Sequence, residues 1–178
     1  GYLGMLAEDE ALRNSPAAAE MLQHARGAIH LLAEQVDALL DISRIEAGTV
    51  RVQKQPVSVS AIVREVVEMM RPQAADKRIE LSEEIAPLIY QVDGDRDLLL
   101  QAVLNLVSNA VKDTPEGGRV RVRMAADEAA GTLSVFVEDT GAGIPAEDLP
   151  RMFEKFFRVA ANAGMAKGTG LGLNLVKH

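Results

Sequence analysis

The sequence contains no cysteine, which excludes a disulfide framework and any thiolate metal site and makes a reducing, cytoplasmic setting the expectation. It is short of basic charge: 19 Lys and Arg stand against 26 Asp and Glu, for a net charge of −7. Recognition of a nucleic-acid backbone draws on clustered Lys and Arg, so no nucleic-acid partner is expected, although a small anion can still bind locally. No apolar run approaches the roughly 20 residues of a bilayer span. The N-terminus also lacks a basic segment followed by an apolar one, so no membrane contact by this segment is expected. Internal repeats and low-complexity tracts are missing as well. What remains is ordinary for a globular protein: 178 residues, 48% hydrophobic and 25% charged, enough for one full domain and part of another.

Residues 17 to 46 read as one long helix. Leu22, Ala25, Ile29, Leu32, Val36 and Leu39 are spaced alternately three and four apart, the seam of a bundle or coiled coil. Ser15 and Pro16 supply an N-cap and first helical position, and Gly48 supplies a stop. GYLGMLAED, before it, reads as the end of an antiparallel helix too short to stand alone. TVRVQKQPVSVS, with Pro56, reads as an extended connector, placing a linker at 51–58 between a helical unit (1–50) and a second domain (59–178). That domain should contain a helix over 60–71, strands in KRIELSEEI and LIYQV, a helix from Asp95 to about Lys112, and a strand pair in GGRVRVRMA and GTLSVFVED. Beyond Asp139 the chain turns glycine-rich, which marks where backbone runs close to something. The alanine-rich stretch 159–167 reads as a mobile loop.

On the 95–112 helix, Leu99, Ala102, Val103, Leu106 and Ala110 form the expected core stripe, and Gln101, Asn105, Ser108, Asn109 and Lys112 a polar one. An amide oxygen is a hard, neutral ligand suited to Mg²⁺, and Lys112, one turn on, is placed to meet phosphates. Taken alone, an N-x-x-x-N pair more often caps a loop or faces water. Asp139 ends the strand LSVFVED, and Gly141 and Gly143 in TGAGIP allow a tight turn under a flat ligand. A carboxylate there can accept a hydrogen bond from an exocyclic amine such as that of adenine. D-x-G-x-G is equally a common turn after a strand. In KGTGLGL, Gly168, Gly170 and Gly172 free backbone N–H groups where a helix begins, a phosphate-binding arrangement or simply a helix-entry turn. Its spacing matches neither G-x-G-x-x-G nor the Walker pattern. In FEKFFR, the three phenylalanines read as core and loop anchor, and Arg158 is the better phosphate candidate beside Lys155.

Taken in order, NLVSNAVKDTPEGG, VEDTGAGIP, MFEKFFR and GTGLGLNLVKH resemble the N, G1, F and G2 boxes of bacterial sensor histidine kinases. ALLDISRIEAGTV is similar to the end of that family's dimerisation and histidine-phosphotransfer hairpin. The resemblance covers essentially the whole chain. It implies an α+β protein: a partial helical hairpin, then a Bergerat-type α/β sandwich, a mixed sheet covered by helices on one face, shared with gyrase B, heat-shock chaperones and mismatch-repair ATPases. The cofactors it implies are ATP and Mg²⁺, with Asn109 as metal ligand and Asn105 supporting the site. Lys112 and Arg158 would meet phosphates, Asp139 the adenine amine, and Gly141, Gly143, Gly168, Thr169, Gly170, Leu171 and Gly172 would shape the pocket. Residues 159–167 would be the ATP lid. A response-regulator receiver domain is the implied partner, and a homodimer through the helical hairpin the implied assembly.

Asn105 stands where hydrolysing relatives place a glutamate that activates water, and an amide lacks that basicity. A neutral imidazole needs no such help, so phosphoryl transfer to histidine is favoured over hydrolysis. The family's phosphoacceptor motif, a His followed by an acidic residue and then Thr-Pro or Asn-Pro, does not occur around His24, His30 or His178. The expectation is therefore of a fragment, starting after the phosphoacceptor and stopping before the closing strands, that binds nucleotide without phosphorylating itself. Asp113 stands where relatives often carry Tyr or Phe. An acid cannot stack, and the alternative reading is a non-catalytic module that keeps the fold for dimerisation or regulator docking.

Overall fold

The computed structural model describes residues 52–85, 90–157 and 172–177, together with Ala18, Met21, Leu22, His24, Ala25, Ile29, Leu32 and Val36. Those eight separate positions are all helical, as the seam spacing predicts. Ile29, Leu32 and Val36 keep half or more of their surface exposed. The antiparallel helix expected in GYLGMLAED and the helix ending near Gly48 lie outside the described residues. Among the described residues no helix is long and apolar enough to cross a membrane.

The folded unit begins earlier than its expected boundary. Gln55–Ser58 is strand β1, paired antiparallel with β3 (Gln91–Gly94), so half of the segment read as a linker belongs to a sheet. Pro56 is tolerated because a two-stranded ladder consists only of edges, where a missing N–H need not face a partner. Helix α1 spans Val59–Asp76 and not 60–71. Ser58 caps it, its Oγ accepting from the Ala61 N–H at 3.4 Å. Val59, Ile62, Val63, Val66, Val67, Met70 and Ala74 form its buried stripe. Pro72 sits inside the helix without ending it. Burial of Met70 and Ala74 on either side offsets the one hydrogen bond that proline cannot donate.

Strand β2 (Glu80–Glu84) follows. Its sequence candidate began at Lys77, but Lys77 and Arg78 form the turn out of α1, with Arg78 at φ 54°. In the other strand candidate, LIYQV, only the last residues enter β3, and residues 86–89 lie outside the described set. Helix α2, Arg96–Asp113, crosses to β4 (Arg119–Asp127), which pairs parallel with β2. A tight turn, in which the Ala130 N–H donates to Asp127 Oδ1 at 3.0 Å and Gly131 takes φ 63°, leads to β5 (Thr132–Asp139), antiparallel to β4. The mixed sheet β2-β4-β5 carries α1 and α2 against one face, where Val120, Val122 and Met124 of β4 meet them. The alternate residues Arg119, Arg121 and Arg123 look outward, Arg121 toward Glu84 and Arg123 toward Glu138 and the Phe136 ring.

The core stripe of α2 is rotated from the one the sequence suggested. Val103, Val107, Ala110 and Val111 are buried, with Leu99, Leu100 and Leu104 packed beside them, whereas Ala102 and Leu106 stand outside the core. A helix apolar on several sides satisfies more than one stripe, and the positions of α1 and β4 decide which is used. The last turn of α2 is closed by Lys77, whose Nζ donates to the carbonyls of Val111 and Lys112, groups that a helix end leaves without intrahelical donors.

The first turn of α2 is fixed by Asp95. Its Oδ1 accepts from the N–H groups of Asp97 (3.1 Å) and Leu98 (3.3 Å), and its Oδ2 from Gln53 N–H at 2.9 Å. These backbone donors, Gln53 first, hold its carboxyl below the usual carboxylate range. A depressed native-state value means the contribution is complete above the unfolded-state value, about pH 4, and is lost as pH falls through the lower native one. Replacing Asp95 with alanine is expected to lower Tm by about 2–5 °C at neutral pH. The gap from wild type should narrow as thermal melts are repeated toward pH 3.

Candidate functional site

In the polar stripe of α2, Asn105, Ser108, Asn109 and Lys112 are half-buried. Ser108 is turned back on its own helix, its hydroxyl donating to the Asn105 carbonyl at 3.4 Å. The two amides instead face a short helix, α3, Gly172–Lys177. A Cβ on Gly172 would lie 3.3 Å from Asn105 Oδ1 and 3.7 Å from Asn109 Nδ2. A glycine here lets the backbone approach two side chains that lie 67 and 63 residues earlier in the chain. Sequence spacing alone had put Asn105 and Asn109 on one face; the third member of the cluster is a long-range neighbour.

A second cluster forms at the C-terminal ends of α2 and β5. Gly141 N–H donates to Asp139 Oδ1 at 2.8 Å, an Asx turn that orients the carboxylate. Among the described residues no hydrogen bond uses the other oxygen, Oδ2. A Cβ on Gly141 would come within 2.8 Å of Asp139 Oδ1 and 3.0 Å of the Asp113 carbonyl oxygen. The D-x-G turn is therefore pressed against the last residue of α2. Gly143 takes φ 69°, the left-handed conformation that glycine tolerates, with open space around it. Asp113 is exposed at the helix end; its carbonyl, not its carboxylate, abuts the turn.

Two further residues set this geometry without having been singled out in the sequence. Thr140 extends the β4–β5 pairing past Asp139: its N–H donates to the Arg119 carbonyl at 3.1 Å, and its Oγ1 accepts from Arg119 N–H at 2.9 Å. Gly118 lies beneath it, where a Cβ would fall 2.4 Å from Thr114 Cγ2 and 2.8 Å from Thr140 Oγ1. The signal available beforehand was the glycine pair in TPEGG, which marks a turn but not the contact it permits.

Of the expected F-box anchors, Phe153 and Phe157 are half-buried and Arg151 stacks 4.4 Å over the Phe157 ring. Phe156, in contrast, is 62% exposed with φ 62°, so it is neither core nor anchor. The left-handed backbone there turns its side chain out of the packed layer. Lys155 is half-buried. Arg158, Gly168, Thr169, Gly170 and Leu171, with the stretch 159–167, lie outside the described residues.

Comparison with known proteins finds relatives in sequence and in fold. Residues 94–178, from the end of β3 through α3, match the family described as histidine kinase-, DNA gyrase B-, and HSP90-like ATPase. The histidine protein kinase DivJ of Caulobacter vibrioides is 38% identical over 159 residues, covering 89% of this chain and 26% of DivJ. The phosphate regulon sensor protein PhoR of Pseudomonas aeruginosa is 37% identical over 182 residues, covering 100% of this chain and 40% of PhoR. The chain thus spans well under half the length of these curated relatives. Among solved structures, full-length ShkA in complex with AMPPNP superposes with TM-score 0.79 at 30% identity, over 98% of this chain and 36% of that one. The mycobacterial sensor histidine kinase MprB gives TM-score 0.57 at 33% identity, over 70% of this chain and 76% of that one.

Proposed function

This chain belongs to the sensor histidine kinases, within the histidine kinase-, gyrase B- and HSP90-like ATPases, and from that premise we propose that it binds Mg-ATP between α2, the Asp139–Gly143 turn and α3. The kinase of which it forms part passes the γ-phosphoryl group to a histidine and onward to an aspartate of a response-regulator receiver domain. The approach of Gly172 to both Asn105 and Asn109 carries the reading, because it brings the last glycine of the second glycine box onto the two amides. The ShkA structure, solved with a nucleotide analogue, supports it.

Asp139 has Oδ1 committed to Gly141 N–H, which leaves Oδ2 to accept from the adenine amino group. That hydrogen bond orients the base and sends the phosphates along α2 toward Asn109 and Lys112, with Arg158 as a further phosphate contact. Among the described residues no three Asp, Glu or His side chains converge into a cation cage. A neutral amide donor is what fits a Mg²⁺ ion that keeps waters and takes most other ligands from phosphates. Asn109 would hold it; when bound, the ion neutralises phosphate charge. Gly168, Thr169, Gly170 and Leu171 would close the phosphate side of the pocket, and 159–167 would form its lid. Asn105, an amide without a basic lone pair, does not activate water, so nucleotide is kept for transfer. The exposed Ile29, Leu32 and Val36 support a helical segment that pairs with a second copy, separate from the nucleotide-binding unit beyond residue 50.

Calorimetric titration with ATP in Mg²⁺ should give saturable binding to the wild-type chain. Asp139→Ala is expected to weaken it about 10- to 100-fold, the worth of a hydrogen bond to a charged group, and to erode the preference for ATP over GTP. A variant that keeps both affinity and preference overturns the assignment of Asp139.

A further inference from the structure

Helix α3 is gripped from two sides. Gly172 meets the asparagines of α2. Asn174 lies two positions on, and at about 100° per residue its side chain leaves nearly the opposite face of the helix. It is 6% exposed, and its Nδ2 donates to the Phe153 carbonyl at 2.7 Å. Phe153 belongs to the turn that follows a short 3-10 helix, Leu149–Arg151. The α3 backbone is thus clamped between α2 and that turn.

The choice of residue is costly. Asn174 Oδ1 is buried and accepts no hydrogen bond among the described residues. A leucine, branched at Cγ like asparagine though larger, would strand no acceptor. Apolar packing, however, is non-directional, and six residues of helix offer little else to fix their rotation. A side-chain amide bonded to a backbone carbonyl does fix it.

We propose that Asn174 is a positioning residue for nucleotide binding: its bond to Phe153 sets the rotation and height of α3 and so keeps Gly172 against Asn105 and Asn109. The inference rests on the reading of that cluster as the Mg-ATP site. Asn174 touches no nucleotide itself. It acts through Gly172, whose backbone would otherwise drift toward or away from the amides.

Two variants of the full chain test this. Asn174→Leu keeps the branching at Cγ without the donor, and Asn174→Asp keeps size and shape but puts a carboxylate oxygen where the donating nitrogen was. Each is expected to weaken Mg-ATP binding about 3- to 10-fold, the span of one ordinary hydrogen bond. Each effect should be non-additive with Gly172→Ala, which disturbs the same approach, and additive with Asp139→Ala, which acts at the base end. A residue that merely supports the fold would couple to neither. If the wild-type chain binds Mg-ATP and both variants bind as well, the inference fails while the functional reading stands. A wild-type chain that does not bind overturns the functional reading and this inference with it. Loss of the cooperative melt in both variants makes Asn174 a core residue and also overturns the positioning role.

Discussion

Replacing Asn109 with alanine is expected to raise the Kd for ATP in Mg²⁺ about 10- to 100-fold, while Tm stays within a few degrees of wild type. The two outcomes separate because the residue stands on a different face from the core. Val103, Val107, Ala110 and Val111 hold α2 to α1 and the sheet, and Asn109 is not among the buried set. Alanine is also the best helix former, so α2 itself loses nothing. What disappears is the amide assigned to the cation, a turn before Lys112. Without it, the ion must be held by phosphate oxygens and water alone. Affinity measured in excess EDTA provides the internal control: wild type should show a marked gain on adding Mg²⁺, and the variant little. Asn109→Asp, which keeps an oxygen ligand, should retain more of that gain. Full Mg²⁺ dependence in Asn109→Ala would sink the metal assignment.

The second large effect is on folding. Gly118→Ala places a methyl group 2.4 Å from Thr114 Cγ2, 2.8 Å from Thr140 Oγ1 and 3.0 Å from the Pro115 carbonyl oxygen. None of these can withdraw easily. Thr114 is fully buried and caps α2, Thr140 is bonded to Arg119 at both its N–H and its hydroxyl, and Pro115 accepts from the Gly118 N–H itself. Overpacking of this kind costs about 2–3 kcal/mol, or roughly 4–12 °C in Tm for a chain of this size. Gly117, one residue earlier, is the comparison. Its φ of 79° makes alanine strained there, but a Cβ would touch nothing within 4 Å. Gly117→Ala should therefore cost only about 1 kcal/mol. Calorimetric melts that rank the two variants the other way would contradict this account. Because Thr140 leads directly into Gly141, Gly118→Ala should also weaken ATP binding in whatever fraction stays folded.

These two residues also mark where sequence reading succeeds and where it stops. Helix α2 was legible nearly to its ends, expected at 95–112 and found at Arg96–Asp113. Its signals are local: an aspartate that caps, an apolar period of 3.6, and a Thr-Pro-Glu-Gly-Gly stop. Asn105 and Asn109 on one face follow from the same period. The pairing of Gln55–Ser58 with β3 is different. It joins segments nearly forty residues apart, and Pro56 argued locally for a connector. Likewise, the choice of Val107 and Val111 over Leu106 as core depends on what α1 and β4 present, which no window along α2 contains. Gly118 and Asn174 were missed for this reason too: each matters for a contact with a residue from another element, and nothing in its own neighbourhood advertises the contact.

The carboxylate of Asp95 bridges two segments of the chain. One oxygen holds the amides that start α2; the other holds the Gln53 N–H, two residues before β1. A displacement of residue 53 by even an ångström either breaks that bond or swings the carboxylate off the first turn of the helix. Together with the β1–β3 pairing, this carboxylate therefore joins the incoming chain to the helix that carries both asparagines, and tension on one is registered by the other.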